Sequence, residues 1–185
     1  RNRYQLYSPE MNVTFAERLS LEIQMRKALE RDEFQVVYQP QINVITGRIS
    51  GMETLVRWAS PLLGYLSPQE FIPLAEETGL IIPIGEFVLR SAFKQARLWK
   101  HTGLLPQRIA VNISAQHLER DDFVDFIAKL LREYELEGSM FEMEITESVL
   151  LNDGEHIIEK LQMIAGMGIK IALDDFGTGY TSLSF

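Results

Sequence analysis

Cysteine is missing from the chain altogether. Disulfides and thiolate metal sites are therefore excluded, and a reducing, cytoplasmic compartment is expected. Positive charge is scarce: 18 Lys and Arg against 26 Asp and Glu leave a net charge of −8. With no basic face to offset that balance, binding to polymeric nucleic acid and direct membrane contact from this segment are not expected. A small phosphate-bearing ligand stays compatible, because bound cations can bridge two anionic partners. No apolar run approaches the ~20 residues of a membrane span, and the first residues lack a signal-peptide pattern. A membrane anchor elsewhere in a longer parent is compatible with both observations. Histidine is rare, and His101, His117 and His156 stand in polar surroundings without ligand spacing, so all three read as surface residues. What is present is 185 residues, 46% of them hydrophobic. That is enough for one sizeable domain burying roughly two thirds to three quarters of its unfolded surface.

Residues 1–12 are polar and aperiodic, include Ser8-Pro9, and read as a tail or linker. Thr14-Phe15-Ala16-Glu17 has the form of a capping box. Leu21, Met25, Ala28 and Leu29 then recur at helical spacing and predict an amphipathic helix over 13–31. Strands follow at 34–40 and 49–58 around a turn at 43–47. Ser67-Pro68-Gln69-Glu70 opens a helix with its cap at Ser67, and Gly79 closes it. Phe87, Val88, Ala92, Ala96 and Trp99 mark the next helix. The order is then regular: strand 109–113, helix 122–134, strand 141–146, helix 155–165, strand 169–173. Such alternation implies a parallel sheet covered by helices.

Polar residues gather at the ends of these strand-like runs: Glu53, Asn112, Glu144 and the pair Asp174-Asp175. Four carboxylates and one amide at the same end of a parallel sheet make a hard-oxygen site for divalent metal. Glu53, Leu55 and Arg57 share one face of their strand. Glu53 and Arg57 read either as a metal carboxylate beside a guanidinium clamp for phosphate, or as an ion pair next to a core. Asn112 is either a neutral ligand that adds no negative charge, or a buried amide bonded to backbone. Glu144 shares its face with Glu142, for which the sequence offers no partner. Glu147, beyond the strand, is placed to hold a loop or to be a solvated helix-start carboxylate. Two adjacent aspartates cannot share a strand face, but at a strand end both can reach a metal as the backbone turns. Two ions roughly 3.5–4 Å apart are the usual arrangement for phosphodiester cleavage, and a bridging Asp would hold both. The glycines of Phe176-Gly177-Thr178-Gly179-Tyr180 let the following loop approach a ligand closely.

At these residues the chain closely resembles the EAL family of cyclic di-GMP phosphodiesterases. The matching pieces are Tyr38-Gln39-Pro40, Gly51-Met52-Glu53-Thr54-Leu55-Val56-Arg57-Trp58, Phe71-Ile72-Pro73-Leu74-Ala75-Glu76, Val111-Asn112-Ile113-Ser114, Glu144-Ile145-Thr146-Glu147-Ser148 and Asp174-Asp175-Phe176-Gly177-Thr178-Gly179-Tyr180. They occur in the family's order and spacing. The resemblance implies an α/β fold, a (β/α)8 TIM-like barrel with an antiparallel first strand. About five of its eight strands would lie here, since such a barrel takes ~250 residues. It implies that Glu53, Asn112, Glu144, Asp174 and Asp175 hold Mg2+ or Mn2+, two ions. It also implies that Gln39, Leu55 and Arg57 contact cyclic di-GMP, and that Glu147 anchors a 174–182 loop tied to a homodimer. The implied reaction is hydrolysis of one phosphodiester bond to give linear pGpG. A non-catalytic cyclic di-GMP receptor is the alternative; such receptors typically lose metal ligands, and every ligand visible here is retained. Arg1-Asn2-Arg3-Tyr4 looks like the end of a GGDEF domain. The expected layout is thus a GGDEF-derived tail at 1–12, a linking helix at 13–31 and the N-terminal portion of an EAL domain at 32–185. Two departures stand out: Glu-Thr-Leu at 53–55 for Glu-Ala-Leu, with Thr54 facing away from Glu53, and Thr181 where Ser is usual. The family's later lysine and a further metal-binding glutamate are expected beyond Phe185, so a chain ending there is not expected to be a competent hydrolase.

Overall fold

A computed structural model describes residues 9–104, 106–146, 149 and 154–174. The chain divides into two compact units, one of Arg1–Gln35 and Arg57–Ile81, the other of Val36–Val56 and Ile82–Phe185.

In the first unit, helix α1 (Pro9–Glu30) leads into the start of strand β1 (Phe34–Ile42). The helix starts earlier than Thr14, which lies inside it and so is not its cap, and residues 9–12 are helical. Proline suits that start, because its missing N–H is one the first turn leaves unpaired anyway. Strand β2 (Ile49–Ser60) folds back as β3 (Gly64–Leu66), an antiparallel strand of three residues, too short to show an alternating pattern in the sequence. Trp58 pairs with Leu66 and Ser60 with Gly64, whose φ of +78° an L side chain rarely adopts. Trp58 is wholly buried, its ring centroid 5.5 Å from Phe34 and 5.8 Å from an edge-on Phe71. Its indole N–H donates to Glu33 Oε2 at 3.1 Å, so burial strands no donor. Helix α2 (Pro68–Glu77) opens where the sequence places it, with the Ser67 N–H donating to Glu70 Oε2 at 2.6 Å. That backbone bond, with one from the Ser67 side chain, holds the Glu70 carboxyl below the usual carboxylate range.

In the second unit, β1 and β2 are neighbours joined by the turn Asn43–Arg48, where the Asn43 N–H donates to Arg48 O at 2.9 Å. A connection this short cannot cross over, so the two strands run antiparallel. Helix α3 (Ile81–Thr102) is followed by β4 (Ile109–Asn112), α4 (Ala115–Glu119) and α5 (Phe123–Tyr134). After a single 3-10 turn come β5 (Phe141–Thr146), α6 (Gly154–Gly166) and β6 (Lys170–Asp174). The strand order is β1-β2-β4-β5-β6, with β2, β4, β5 and β6 mutually parallel.

Alternation along the strands sorts their side chains into two sets. Ile109, Val111, Phe141, Met143 and Ile145 join Leu89, Phe93 and Ala96 of α3 and Ile127 and Leu130 of α5 in one apolar core. Phe93 stacks on Phe141 with centroids 4.0 Å apart and planes at 11°. The intervening residues, Ala110, Asn112, Glu142 and Glu144, occupy the opposite face.

His117 departs from its surface reading: it is 2% exposed. Its polar sequence neighbours concealed a short helix, α4, whose inner side packs on α3. The ring's Nε2 lies 3.2 Å from Ile82 O and its Nδ1 2.7 Å from Ser114 Oγ. A carbonyl only accepts, so Nε2 carries the proton and Nδ1 accepts from the hydroxyl. Gly85 leaves room for the ring; a Cβ there would come within 2.3 Å of it. Lys160 of α6 is also buried, its Nζ donating to Leu118 O, Glu119 O and Arg120 O at 2.8, 3.2 and 3.0 Å. It satisfies the free carbonyls at the end of α4.

Candidate functional site

The registers of the parallel strands bring the polar strand-end residues onto one face. Asn112 stands opposite Glu144, Glu53 opposite Ala110, and Asp174 opposite Thr146. Ala110 shares a face with Asn112, and Thr146 with Glu144, because each pair is two residues apart. Glu53, Asn112, Glu144 and Asp174 are thus on the same side of four adjacent strands; Asn112 and Asp174 end theirs and Glu144 lies near its end, whereas Glu53, read from sequence as a strand-end residue, sits within β2, which runs on to Ser60.

Asn112 Nδ2 donates to Glu53 Oε1 across β2 and β4 at 3.3 Å. The Glu144 carboxyl is pushed up to about 7, first by burial and then by the negative charges of Glu53, Asp174 and Glu142, with Arg108 opposing. Among the described residues no group of three His, Asp or Glu side chains is drawn in to metal-ligand distance of one point. Mutual repulsion of the carboxylates, felt at Glu144, favours that spread. The donor set is all oxygen, carboxylate and carboxamide, which fits a hard divalent cation such as Mg2+ or Mn2+. Burial first and the neighbouring carboxylates second raise the Glu144 carboxyl, and a bound cation would oppose both.

Glu142 has a partner after all. Arg108 Nη1 donates to its Oε2 at 2.9 Å, and Arg108 Nη2 donates to Gln41 Oε1 at 3.2 Å. Arg108 precedes the first residue of β4 and Gln41 follows Gln39 at a spacing of two. Extending both strands by a residue or two would have placed them on the donor face.

The other candidate residues are placed as follows. Gln39 is exposed on β1 and Leu55 half-buried on β2. Arg57 is half-buried in the first unit, where β2 continues. Thr54 is buried, on the opposite face from Glu53. Asp175, Glu147 and the loop 175–182 lie outside the described residues.

The sheet is open and mostly parallel, with four oxygen- and nitrogen-bearing side chains gathered on one face, the side on which α/β folds of this class carry their sites. The EAL domain model matches residues 22–185, and the chain belongs to the EAL domain family, whose fold is a TIM-like (β/α)8 barrel. It is 40% identical over 185 residues to the bifunctional diguanylate cyclase/cyclic di-GMP phosphodiesterase MucR of Pseudomonas aeruginosa, covering 100% of this chain and 27% of that protein. It is 39% identical over 184 residues to the cyclic di-GMP phosphodiesterase PdeR of Escherichia coli, covering 100% of this chain and 28% of that one. A solved c-di-GMP complex of the PaMucR phosphodiesterase matches with a TM-score of 0.83 and 41% identity, over 88% of this chain and 66% of that chain. The chain therefore spans about a quarter of the length of the curated relatives it matches.

Proposed function

We propose that this chain is part of a metal-dependent phosphodiesterase that opens cyclic di-GMP to linear pGpG. The observation that carries the reading is the convergence of Glu53, Asn112, Glu144 and Asp174 on one sheet face, in a chain of the EAL family. These four residues and Asp175 would hold two Mg2+ or Mn2+ ions. Bound there, the ions supply Lewis-acid activation of water and of the phosphate. The carboxylates orient the incoming water and accept its proton, and Asn112 keeps Glu53 in place. Arg57, a planar fork, suits a non-bridging phosphate oxygen pair, while Gln39 and Leu55 face the dinucleotide. Water adds to phosphorus, one P–O ester bond breaks, and the released ribose oxygen takes up a proton. Glu147 anchors the loop 174–182 and couples it to a second copy in a homodimer.

The absence of cysteine supports a cytoplasmic protein, and the pairing of a diguanylate cyclase with a phosphodiesterase in MucR supports α1 as the link from a preceding GGDEF domain. Among the described residues, no helix is long and apolar enough to cross a membrane. The test is a split between two variants of the intact protein. Glu53→Gln abolishes formation of pGpG, read by chromatography, while cyclic di-GMP still binds; Arg57→Ala weakens nucleotide binding while Mn2+ binding without nucleotide is kept. Near-wild-type turnover by Glu53→Gln overturns the assignment. Wild-type binding of cyclic di-GMP with no turnover in either metal makes the domain a receptor.

A further inference from the structure

Directly along the strands from the oxygen donors, toward their N-terminal ends, the same sheet face carries a buried ion pair. Arg108 donates to Glu142 and to Gln41 at 2.9 and 3.2 Å, and Glu142 is only 8% exposed. Glu142 stands opposite Ala110 on one side and Lys170 on the other. Gly51, two residues before Glu53, makes the room: a Cβ there would sit 2.7 Å from Gln41 Oε1 and 3.2 Å from Arg108 O. The chain thus gives up a side chain on β2 to admit this polar floor.

Stability does not account for it. A buried ion pair gains little over well-packed apolar residues of similar volume, and Arg108 Nε is left without a hydrogen-bond partner among the described residues. What the pair does have is its position, one side-chain step from Glu144. Glu142 stands two residues before Glu144 on the same face of β5, and the hydrogen bonds from Arg108 hold it there. We infer that Arg108 is a positioning residue, which clamps Glu142 beneath the donors and cancels its charge, so that Glu142 adds no negative charge to that of the proposed ligands. The guanidinium is charged at every accessible pH, which makes the cancellation permanent. This inference rests on the proposed metal reading.

A charge imbalance one layer below a divalent ion changes its binding by about tenfold or more when the intervening medium is protein. The test is calorimetric titration of Mn2+ into the intact protein without nucleotide, with thermal melts in parallel. Glu142→Gln leaves Arg108 uncompensated, and Mn2+ affinity falls about tenfold. Adding Arg108→Gln removes the stray cation, and affinity returns to within about threefold of wild type, although the double variant melts no higher than the single. A purely structural floor predicts the reverse, with the double variant binding as weakly as Glu142→Gln or more so. That result, or wild-type affinity in Glu142→Gln, overturns the inference while leaving the metal site intact. Should Glu142→Gln not fold, the double variant alone decides: neutral on both sides, it must bind Mn2+ within about threefold of wild type. Failure of the wild type itself to take up Mn2+ removes the metal reading, and this inference with it.

Discussion

Asn112 and Glu53 lie on neighbouring parallel strands, and the amide donates to the carboxylate at 3.3 Å. The amide is thereby turned with a donor toward the most anionic part of the sheet. Asn is suited to this in a way that Asp is not, because it carries both a donor and an acceptor.

Replacing Asn112 should separate those two capacities. Asn112→Ala loses one partly solvated hydrogen bond and costs about 1 kcal/mol in metal-free protein. Asn112→Asp sets a carboxylate against Glu53 and costs about as much or more, but excess Mg2+ recovers most of its loss and little of the alanine variant's. Urea denaturation with and without Mg2+ measures both. Identical, metal-insensitive losses would show that the amide only fills space.

His117 gives the fold a pH dependence with a definite sign. Burial, the largest cause, pushes its imidazole below the usual value, and the Arg120 charge adds to that. The unfolded chain therefore takes up the proton first, at about pH 6.5. Stability from this residue is complete above that value and is lost as pH falls through the interval down to the folded value. Urea melts at about pH 7.5 and about pH 5 should show a larger drop for wild type than for His117→Gln. Equal drops would place the acid sensitivity elsewhere.

Lys160 holds the last two carbonyls of α4 and that of Arg120 just beyond it, from a position 5% exposed. Lys160→Met keeps the stem and deletes the donors, leaving buried acceptors unpaired at a cost of about 2–3 kcal/mol. The melt should lose temperature and the amides of α4 should lose hydrogen-exchange protection. A variant as stable as wild type would mean that water replaces the ammonium without cost.

The strands and helices with strong periodicity were legible from sequence because their signal is burial itself. Ile109–Asn112, Phe141–Thr146 and the cap at Ser67 fall where they are read. Two of the short elements were not. Gly64–Leu66 has three residues, too few to show alternation, and α4 is too short to show a helical period. The donor face was legible as a set of residues; its floor was not. Arg108 lies just before β4 and drew no reading from the sequence, so Glu142, the residue it bonds, looked unaccompanied. His117 was misplaced for a related reason: its sequence neighbours are polar, but its spatial neighbours are α3 and Phe123.

The staggered registers carry a consequence for how this segment can vary. Glu53 sits level with Ala110, Asn112 with Glu144, and Asp174 with Thr146, so neighbouring donors are offset by either no step or one whole pleat. A donor moved by two residues along its strand keeps its facing and shifts by about 6.6 Å. Moved by one, it turns into the helix layer among Val111, Met143 and Ile145. The mouth can therefore be remodelled only in even increments, and a single-residue insertion within β4 or β5 would evict every donor distal to it on that strand at once. Length changes in this region belong to the connections after the strands, which lets the loops lengthen, shorten and specialise while the chemistry stays anchored to an unchanging count.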